Sequence, residues 1–355
     1  MRVVVAGATG NIGTALVRAL TANGHAVVGI ARRVPAGGAT EAHIRWLSAD
    51  VSTDSGVDTL RHALAHADAY VHLVWPLQPM RRPGYLHQAG PETMLACMRA
   101  ALAAGIERIV HLSSVAAYQA APHSLRIDEG WPLAGVAGST YARHKAEGEV
   151  RLLQEFTARG TTDRLAVMRP CLVAAREAGG SMMRAGTPAL LPGAVLRHLP
   201  VVPVARGFAL QLVHAADVAS AVVEVLERRA CGAFNLAGDG VVDGPAIAGA
   251  LGARSVPVPD GLLRTTAAAA WRLHLQPVDP TWIDMASRAP HMSTAKAHRE
   301  LDWRPRHDAH HVLRELVSGM ADGAGVGTPS LRPRTLRDQL RTLGRRGPVS
   351  RRPAN

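Results

Sequence analysis

The chain has 355 residues, 47% of them hydrophobic and 19% charged, which excludes a wholly disordered chain and leaves room for one large α/β domain or two linked lobes. No apolar run approaches the ~20 residues of a membrane span, and Met1-Arg2 lead straight into Val3-Val4-Val5-Ala6-Gly7, so no targeting segment is expected ahead of the fold. The net charge is +12, but residues 331–355 hold eight Arg against one Asp, a net +7 that leaves +5 for the first 330 residues; charge so confined argues against a nucleic-acid surface.

Residues 2–6 are a β-branched run, the mark of a buried parallel strand. A glycine-rich turn follows at 7–13. Thr14 to Ala22 has helical periodicity through Leu16, Val17 and Leu20 and stops at Asn23-Gly24. Strands are expected at His25 to Ala31, Ala69 to Val74, Ile109 to Leu112 and Leu165 to Met168. Helices are expected at Asp58 to His66, Thr93 to Ala104 and Tyr141 to Ala158. This alternation predicts an α/β fold with a doubly wound parallel sheet over residues 1–170. Residues 174–207 show little periodicity. A helix at 215–228 and a strand at Ala233 to Leu236 are read as a return, within 208–238, to the first lobe. The rest of 171–320 is read as a smaller substrate lobe. Residues 321–355, rich in Arg, Gly and Pro, are read as a loose basic tail without the aromatic residues that stack on single strands.

Gly7-Ala8-Thr9-Gly10-Asn11-Ile12-Gly13 lies between a strand and a helix, the placement a dinucleotide fingerprint requires. Gly7 permits the turn, Gly10 lets a pyrophosphate approach, and Gly13 lets helix and strand pack. The free N–H groups at Asn11 and Ile12 and the helix dipole suit phosphate. No Gly-Lys-Ser/Thr closes the turn, so a P-loop is excluded. The end of the second strand selects the coenzyme. An acidic residue there would bind the ribose hydroxyls of NAD; instead the chain reads Ala31-Arg32-Arg33. Two guanidinium groups suit a 2′-phosphate, so NADP is favoured, with NAD possible.

Tyr141 and Lys145 stand four apart on one helical face. A phenol with its ordinary pKa of about 10 is a poor base at neutral pH, and a nearby ammonium would bring it down. Only two of the 40 basic residues are Lys, which makes a Lys at this spacing notable. Ser114 follows a strand at the end where ligands bind in such sheets, and its hydroxyl is suited to polarise the oxygen whose proton Tyr141 exchanges.

These motifs resemble those of the extended short-chain dehydrogenase/reductases, the NAD(P)-dependent epimerase/dehydratase family. The resemblance runs from residue 1 to about 320. It is carried further by Ser113-Ser114-Val115-Ala116-Ala117-Tyr118, Arg169-Pro170, Val213-His214-Ala215-Ala216-Asp217, Asn235-Leu236-Ala237-Gly238 and Glu300-Leu301-Asp302-Trp303-Arg304-Pro305. It implies a Rossmann fold with catalytic Ser114, Tyr141 and Lys145, the last also holding the nicotinamide ribose. It further implies that Asp50 meets the adenine amino group, Val51 covers the ring, Leu73 and Val74 line the nicotinamide side and Cys171 approaches it. Asp217 is read as structural. A dimer would match the habit of relatives.

Two departures bear on function. Gln88-Ala89-Gly90-Pro91-Glu92-Thr93 stands where relatives carry an Asn, so a relay through that residue is not expected. Ser114 is followed by Val115-Ala116 rather than an Asp-Glu pair, which argues against sugar 4,6-dehydration. The expected activity is hydride transfer to or from a carbonyl or alcohol carbon of a small-molecule substrate, a ketone reductase before a nucleotide-sugar epimerase. A non-catalytic NADP-binding sensor is the third alternative. Arg176, Arg184 and Arg197 are candidates to meet a pyrophosphate. The three cysteines, Cys97, Cys171 and Cys231, are far apart and suit a reducing, cytoplasmic setting. No metal site is expected, since His62 and His66, and His310-His311, lack supporting ligands. Membrane and nucleic-acid partners are not expected.

Overall fold

The computed structural model describes residues 1–35, 44–76 and 83–349. Seven strands form one parallel sheet: β1 (Arg2–Ala6), β2 (Ala26–Ala31), β3 (Ile44–Ser48), β4 (Ala69–His72), β5 (Arg108–Leu112), β6 (Leu165–Pro170) and β7 (Gly232–Leu236). Their order is β3-β2-β1-β4-β5-β6-β7, so the winding reverses between β1 and β4. In such sheets the crevice at the reversal, beyond the carboxyl ends of the strands, is where ligands bind.

Alternation along β1 separates two cores. Val3 and Val5 face α1 (Asn11–Ala22) and α5 (Ala215–Arg228), where Leu16, Val17, Leu20, Val218, Val222 and Leu226 close one layer. Val4 and Ala6 face α2 (Asp54–Leu64), α3 (Thr93–Ala103) and α4 (Thr140–Ala158), where Leu60, Leu64, Met94, Met98, Leu152 and Phe156 close the other. All three valines are fully buried. Each contributes about 1.5–3 kcal/mol of apolar burial, which is why a β-branched run holds the sheet's centre.

Beyond β6 the chain makes short pairings: Leu172–Ala174 with Leu212–His214, and Val201–Ala205 with Arg254–Val258, both parallel. A third core gathers Ala174, Leu212, Val242, Val312, Leu313 and Leu316, the last three from α6 (Ala309–Asp322). The register is legible at the site's edge. Ala6 pairs with His72 and His72 with His111, so Gly7, Leu73 and the Ser113-Ser114 pair all leave the sheet on one side.

The basic segment is not a loose tail within the described residues, contrary to expectation. Thr335 caps α7 (Leu336–Arg346), and Asp338 is buried against Arg184. Arg184 donates to the carbonyls of Arg332 (2.7 Å) and Ser330 (3.3 Å). Arg334 donates to those of Leu191 (2.7 Å) and Ala189 (2.9 Å). Arginines expected to be solvated instead satisfy turn carbonyls that would otherwise be buried without partners. Residues 350–355 of that segment lie outside the described residues.

Candidate active site

The glycine turn is shaped by contacts that side chains would destroy. Gly7 has φ +86°, and a Cβ there would meet the backbone of Leu73 at 3.1 Å. A Cβ on Gly13 would collide with the Gly7 carbonyl oxygen and the Ala8 backbone. Gly10 is the N-cap of α1 and offers no side-chain cap. The N–H groups at Asn11 and Ile12 therefore head a 12-residue helix without a capping side chain, a setting that favours an anion. The Asn11 side-chain amide donates to the Val173 carbonyl at 3.3 Å, tying the turn to the chain beyond β6.

The second strand ends in the buried Ala31, and Arg32 and Arg33 follow it, exposed. Asp50 sits after β3. Its Oδ1 accepts from the Ser52 backbone (3.1 Å) and hydroxyl (2.7 Å), and its Oδ2 lies 3.9 Å from Arg32. The first turn of α2 packs so closely on the Asp50 carbonyl that residue 56 must be glycine. Val51 is 4% exposed and belongs to the core. Leu73 and Val74 are half-buried beyond β4. These residues fit a nicotinamide dinucleotide: a bare helix N-terminus over a glycine cradle, a carboxylate after β3 and an apolar wall after β4.

Ser139 caps α4 by accepting from the Ala142 N–H at 3.2 Å, which fixes where the helix begins and so which face Tyr141 and Lys145 share. Ser114 follows β5 and accepts from the Ala116 N–H at 3.1 Å. The structure brings Tyr141 and Ser114 together. Burial pushes the phenol up to about 12, and the nearby Ser114 hydroxyl only partly opposes this. The Tyr141 ring stacks on Trp282, with centroids 5.1 Å apart and planes at 29°.

Lys145 is 3% exposed. Its Nζ donates to the Leu112 carbonyl at 2.9 Å and lies 3.8 Å from the centre of the Trp75 ring. Burial pulls it down to about 7, opposed by the Glu149 carboxylate. The expectation of a phenol lowered by this ammonium is therefore corrected. Desolvation dominates both groups, and Lys145 is held by a carbonyl and a ring face. Nearby, His72 and His111 are buried, neutral imidazoles; burial lowers His72 to about 3 and also pulls His111 well below its ordinary value, with Lys145 adding to both shifts.

The machinery rests on a buried polar frame. Arg169 donates from Nε to Glu149 (2.8 Å), and from Nη1 to the Tyr118 hydroxyl (2.7 Å) and the Glu129 carbonyl (2.8 Å). Ser113 donates to the same Glu149 carboxylate, and Tyr118 donates to Asn235 at 2.7 Å. This network ties the loop carrying Ser114 to α4, β6 and β7. Asp217 accepts from the His307 N–H at 3.1 Å, and its carbonyl accepts from the Trp303 indole at 2.9 Å. Cys171 is buried at the end of β6, and burial pushes its thiol far up, so it is held as a neutral thiol.

Sequence reasoning missed the two tryptophans. Trp75 leaves β4 two residues after Leu73, and the absence of side chains at Gly90 and Gly148 leaves room for its ring. Trp282 comes from Thr281–Arg288, far along the chain. With 6 Trp in 355 residues, a Trp adjoining the Leu73-Val74 pair was the available signal for the first; nothing marked the second. Of the second-half arginines, Arg184 is consumed by the C-terminal segment, and Arg176 and Arg197 both pair with Asp322. Among the described residues no group of three or more His, Cys, Asp or Glu is placed to hold a metal, and no helix is long and apolar enough to cross a membrane.

The model of the NAD dependent epimerase/dehydratase family matches residues 3–237. The 4-hydroxy-2-methyl-3-oxo-4-farnesyl-3,4-dihydroquinoline-1-oxide ketoreductase of Stigmatella aurantiaca is 30% identical over 173 residues, 48% of this chain and 49% of that protein. The match thus spans about half the length of the curated relative. The fold is similar to the UDP-glucose 4-epimerase of Thermus thermophilus in complex with NAD (TM-score 0.65, 22% identity, 90% of this chain and 99% of that one). It is also similar to the UDP-glucose-4-epimerase of Stenotrophomonas maltophila with NAD and formylated UDP-arabinopyranose (TM-score 0.67, 20% identity, 90% and 98%). With a parallel sheet reversing beside a glycine cradle, and a family match over most of the chain, this protein belongs to the NAD dependent epimerase/dehydratase family of enzymes.

Proposed function

We propose that the protein is an NADP(H)-dependent reductase of an uncharged ketone. The observation that carries this reading is the neutral Tyr141 phenol, stacked on Trp282 and close to Ser114 at the sheet's carboxyl edge. A neutral phenol at this position has a proton to give to a carbonyl oxygen. The Ser114 hydroxyl orients that oxygen, and Tyr141 gives it a proton as negative charge develops. When bound, the nicotinamide supplies the hydride. Gly7, Gly10, Asn11, Ile12 and Gly13 would hold the pyrophosphate, Asp50 the adenine side, and Lys145 the ribose hydroxyls. Val51, Leu73, Val74 and Cys171 would border the rings. Arg32 and Arg33, with no carboxylate at the end of β2, favour a 2′-phosphate.

Two further points support a ketone over a nucleotide-sugar. The three arginines that could have met a pyrophosphate, Arg176, Arg184 and Arg197, are engaged with carboxylates of the protein, and an aromatic wall, Trp282, lies on Tyr141. The ketoreductase name of the partial relative points the same way. The test follows NADPH oxidation by the pure protein with a panel of ketones and nucleotide-sugars. Net oxidation by a ketone is expected. Tyr141→Phe is expected to cut turnover by about 10²–10⁴-fold while NADPH still binds. Epimerised nucleotide-sugar without net NADPH loss would make the protein an epimerase. NADPH binding with no turnover would make it a sensor.

A further inference from the structure

The C-terminal segment does more than pack. From its anchors on Arg184 and Arg334 it runs against the glycine turn. The Ser330 hydroxyl lies 3.3 Å from that of Thr9, within the turn, and the Thr328 hydroxyl lies 3.4 Å from that of Thr14, in the first turn of α1. Close backbone approaches hold it there: a Cβ on Gly180 would sit 2.6 Å from the Ala324 carbonyl oxygen, and a Cβ on Gly325 would strike the Leu331 carbonyl. Arg332 is two residues beyond Ser330, and α7 follows with Arg345 on an exposed face.

We propose that residues 323–349 form one wall of the adenosine end of the coenzyme site, and that Arg345 and Arg332 join Arg33 in binding the 2′-phosphate of NADP. This inference rests on the NADP reading above.

Charge supports it. Arg33 feels Arg332, Arg32 and Arg345 in addition to its burial, all acting to lower it. Arg32, Arg332 and Arg345 are thus each near enough to Arg33 for their charges to act on it. The carboxylates paired with them are Asp50, 3.9 Å from Arg32, and Asp338, 2.6 Å from Arg332; Arg33 and Arg345 have no ion-pair partner among the described residues. The local balance of four guanidinium groups against two carboxylates, one of them shared with Arg184, is at least +2. A phosphate monoester carries about −1.5 to −2 at neutral pH, which matches it. Like charges held together without counterions are unfavourable until an anion arrives, and planar guanidinium forks suit its oxygens. The segment's richness in Arg then has a local purpose beyond solubility.

The experiment is calorimetric titration of the full-length protein with 2′,5′-ADP, 5′-AMP, NADPH and NADH, on wild type, Arg33→Gln, Arg345→Gln and Arg332→Gln. Arg345 is exposed, so its variant keeps the fold; melting temperatures check this for Arg332→Gln, whose guanidinium also holds Asp338. Arg345→Gln is expected to weaken 2′,5′-ADP and NADPH by about 10-fold, the loss of one charge-assisted hydrogen bond, with 5′-AMP and NADH unchanged. Unchanged 2′,5′-ADP affinity in Arg345→Gln and in folded Arg332→Gln, alongside a loss in Arg33→Gln, would overturn the inference while leaving the NADP reading intact. Wild-type protein that binds 2′,5′-ADP no tighter than 5′-AMP would overturn the NADP reading and the inference with it.

Discussion

Lys145 shows how burial redirects a side chain's chemistry. In the unfolded chain its amine keeps the ordinary value near 10.5; in the fold, burial brings it to about 7. Between these values the unfolded chain binds the proton that the folded protein has released. Stability therefore rises with pH across that window, and the full penalty is present below about 7. The shift sets an upper bound of about 5 kcal/mol. Lys145→Met should remove this dependence. Its stability advantage over wild type should be largest at pH 6 and shrink toward pH 10, read by urea unfolding at matched pH values. A constant difference across that range would contradict a buried, near-neutral lysine. The same desolvation raises the Tyr141 phenol; in the proposed reaction the phenol would move the proton and the amine would position the ribose.

At the level of elements, two helix starts place the chemistry. α4 begins at the Ser139 cap and sets the face carrying Tyr141 and Lys145. α1 begins at Gly10 with its first N–H groups free of any capping side chain. The tight step is Gly13, which lies against the carbonyl of Gly7 and the backbone of Ala8. Neither obstacle is a flexible side chain, so the turn itself must move to admit a methyl group. Gly13→Ala is expected to destabilise by about 1–3 kcal/mol, as overpacking does, and to weaken NADPH binding by about 10-fold or more. Thermal melting and fluorescence titration check both; wild-type values in both would show that the turn tolerates the shift. β3 shows the converse, an element the sequence pattern did not reveal. Ile-Arg-Trp-Leu-Ser lies at the sheet edge, so it lacks the continuous apolar run of its neighbours.

At the scale of the molecule, one buried ion pair stands among the contacts that join the C-terminal segment to the rest. Arg184 and Asp338 are 3.2 Å apart with side chains 7% and 6% exposed. Burial draws the guanidinium down to about 10, with Arg332 adding to this and Asp338 opposing. Removing one partner of such a pair strands the other, at about 3–5 kcal/mol. Arg184→Met is accordingly expected to release residues 323–349. Limited trypsin digestion should then cleave within the Arg-rich segment well before the core, whereas wild type resists there. Equal cleavage rates in the two proteins would show that the segment is held by other contacts.

Much of the fold was legible because its causes are local. A β-branched run, a glycine turn and a helix stop follow one another within 24 residues, and each is dictated by sterics and period. The same holds for the Tyr141–Lys145 spacing, which any helix converts into a shared face. Segments without a clean period, such as 174–207 and the Arg-rich end, gave no such signal, because what orders them is partners distant in sequence. The amino-acid sequence by itself determined the central strands, the cradle and the shared face of Tyr141 and Lys145. Tertiary structure alone decided where Lys145 directs its amine, which ring covers Tyr141, and that the basic segment returns to the glycine turn. Those outcomes depend on desolvation and on carbonyls needing donors, and both exist only once the chain has closed around them.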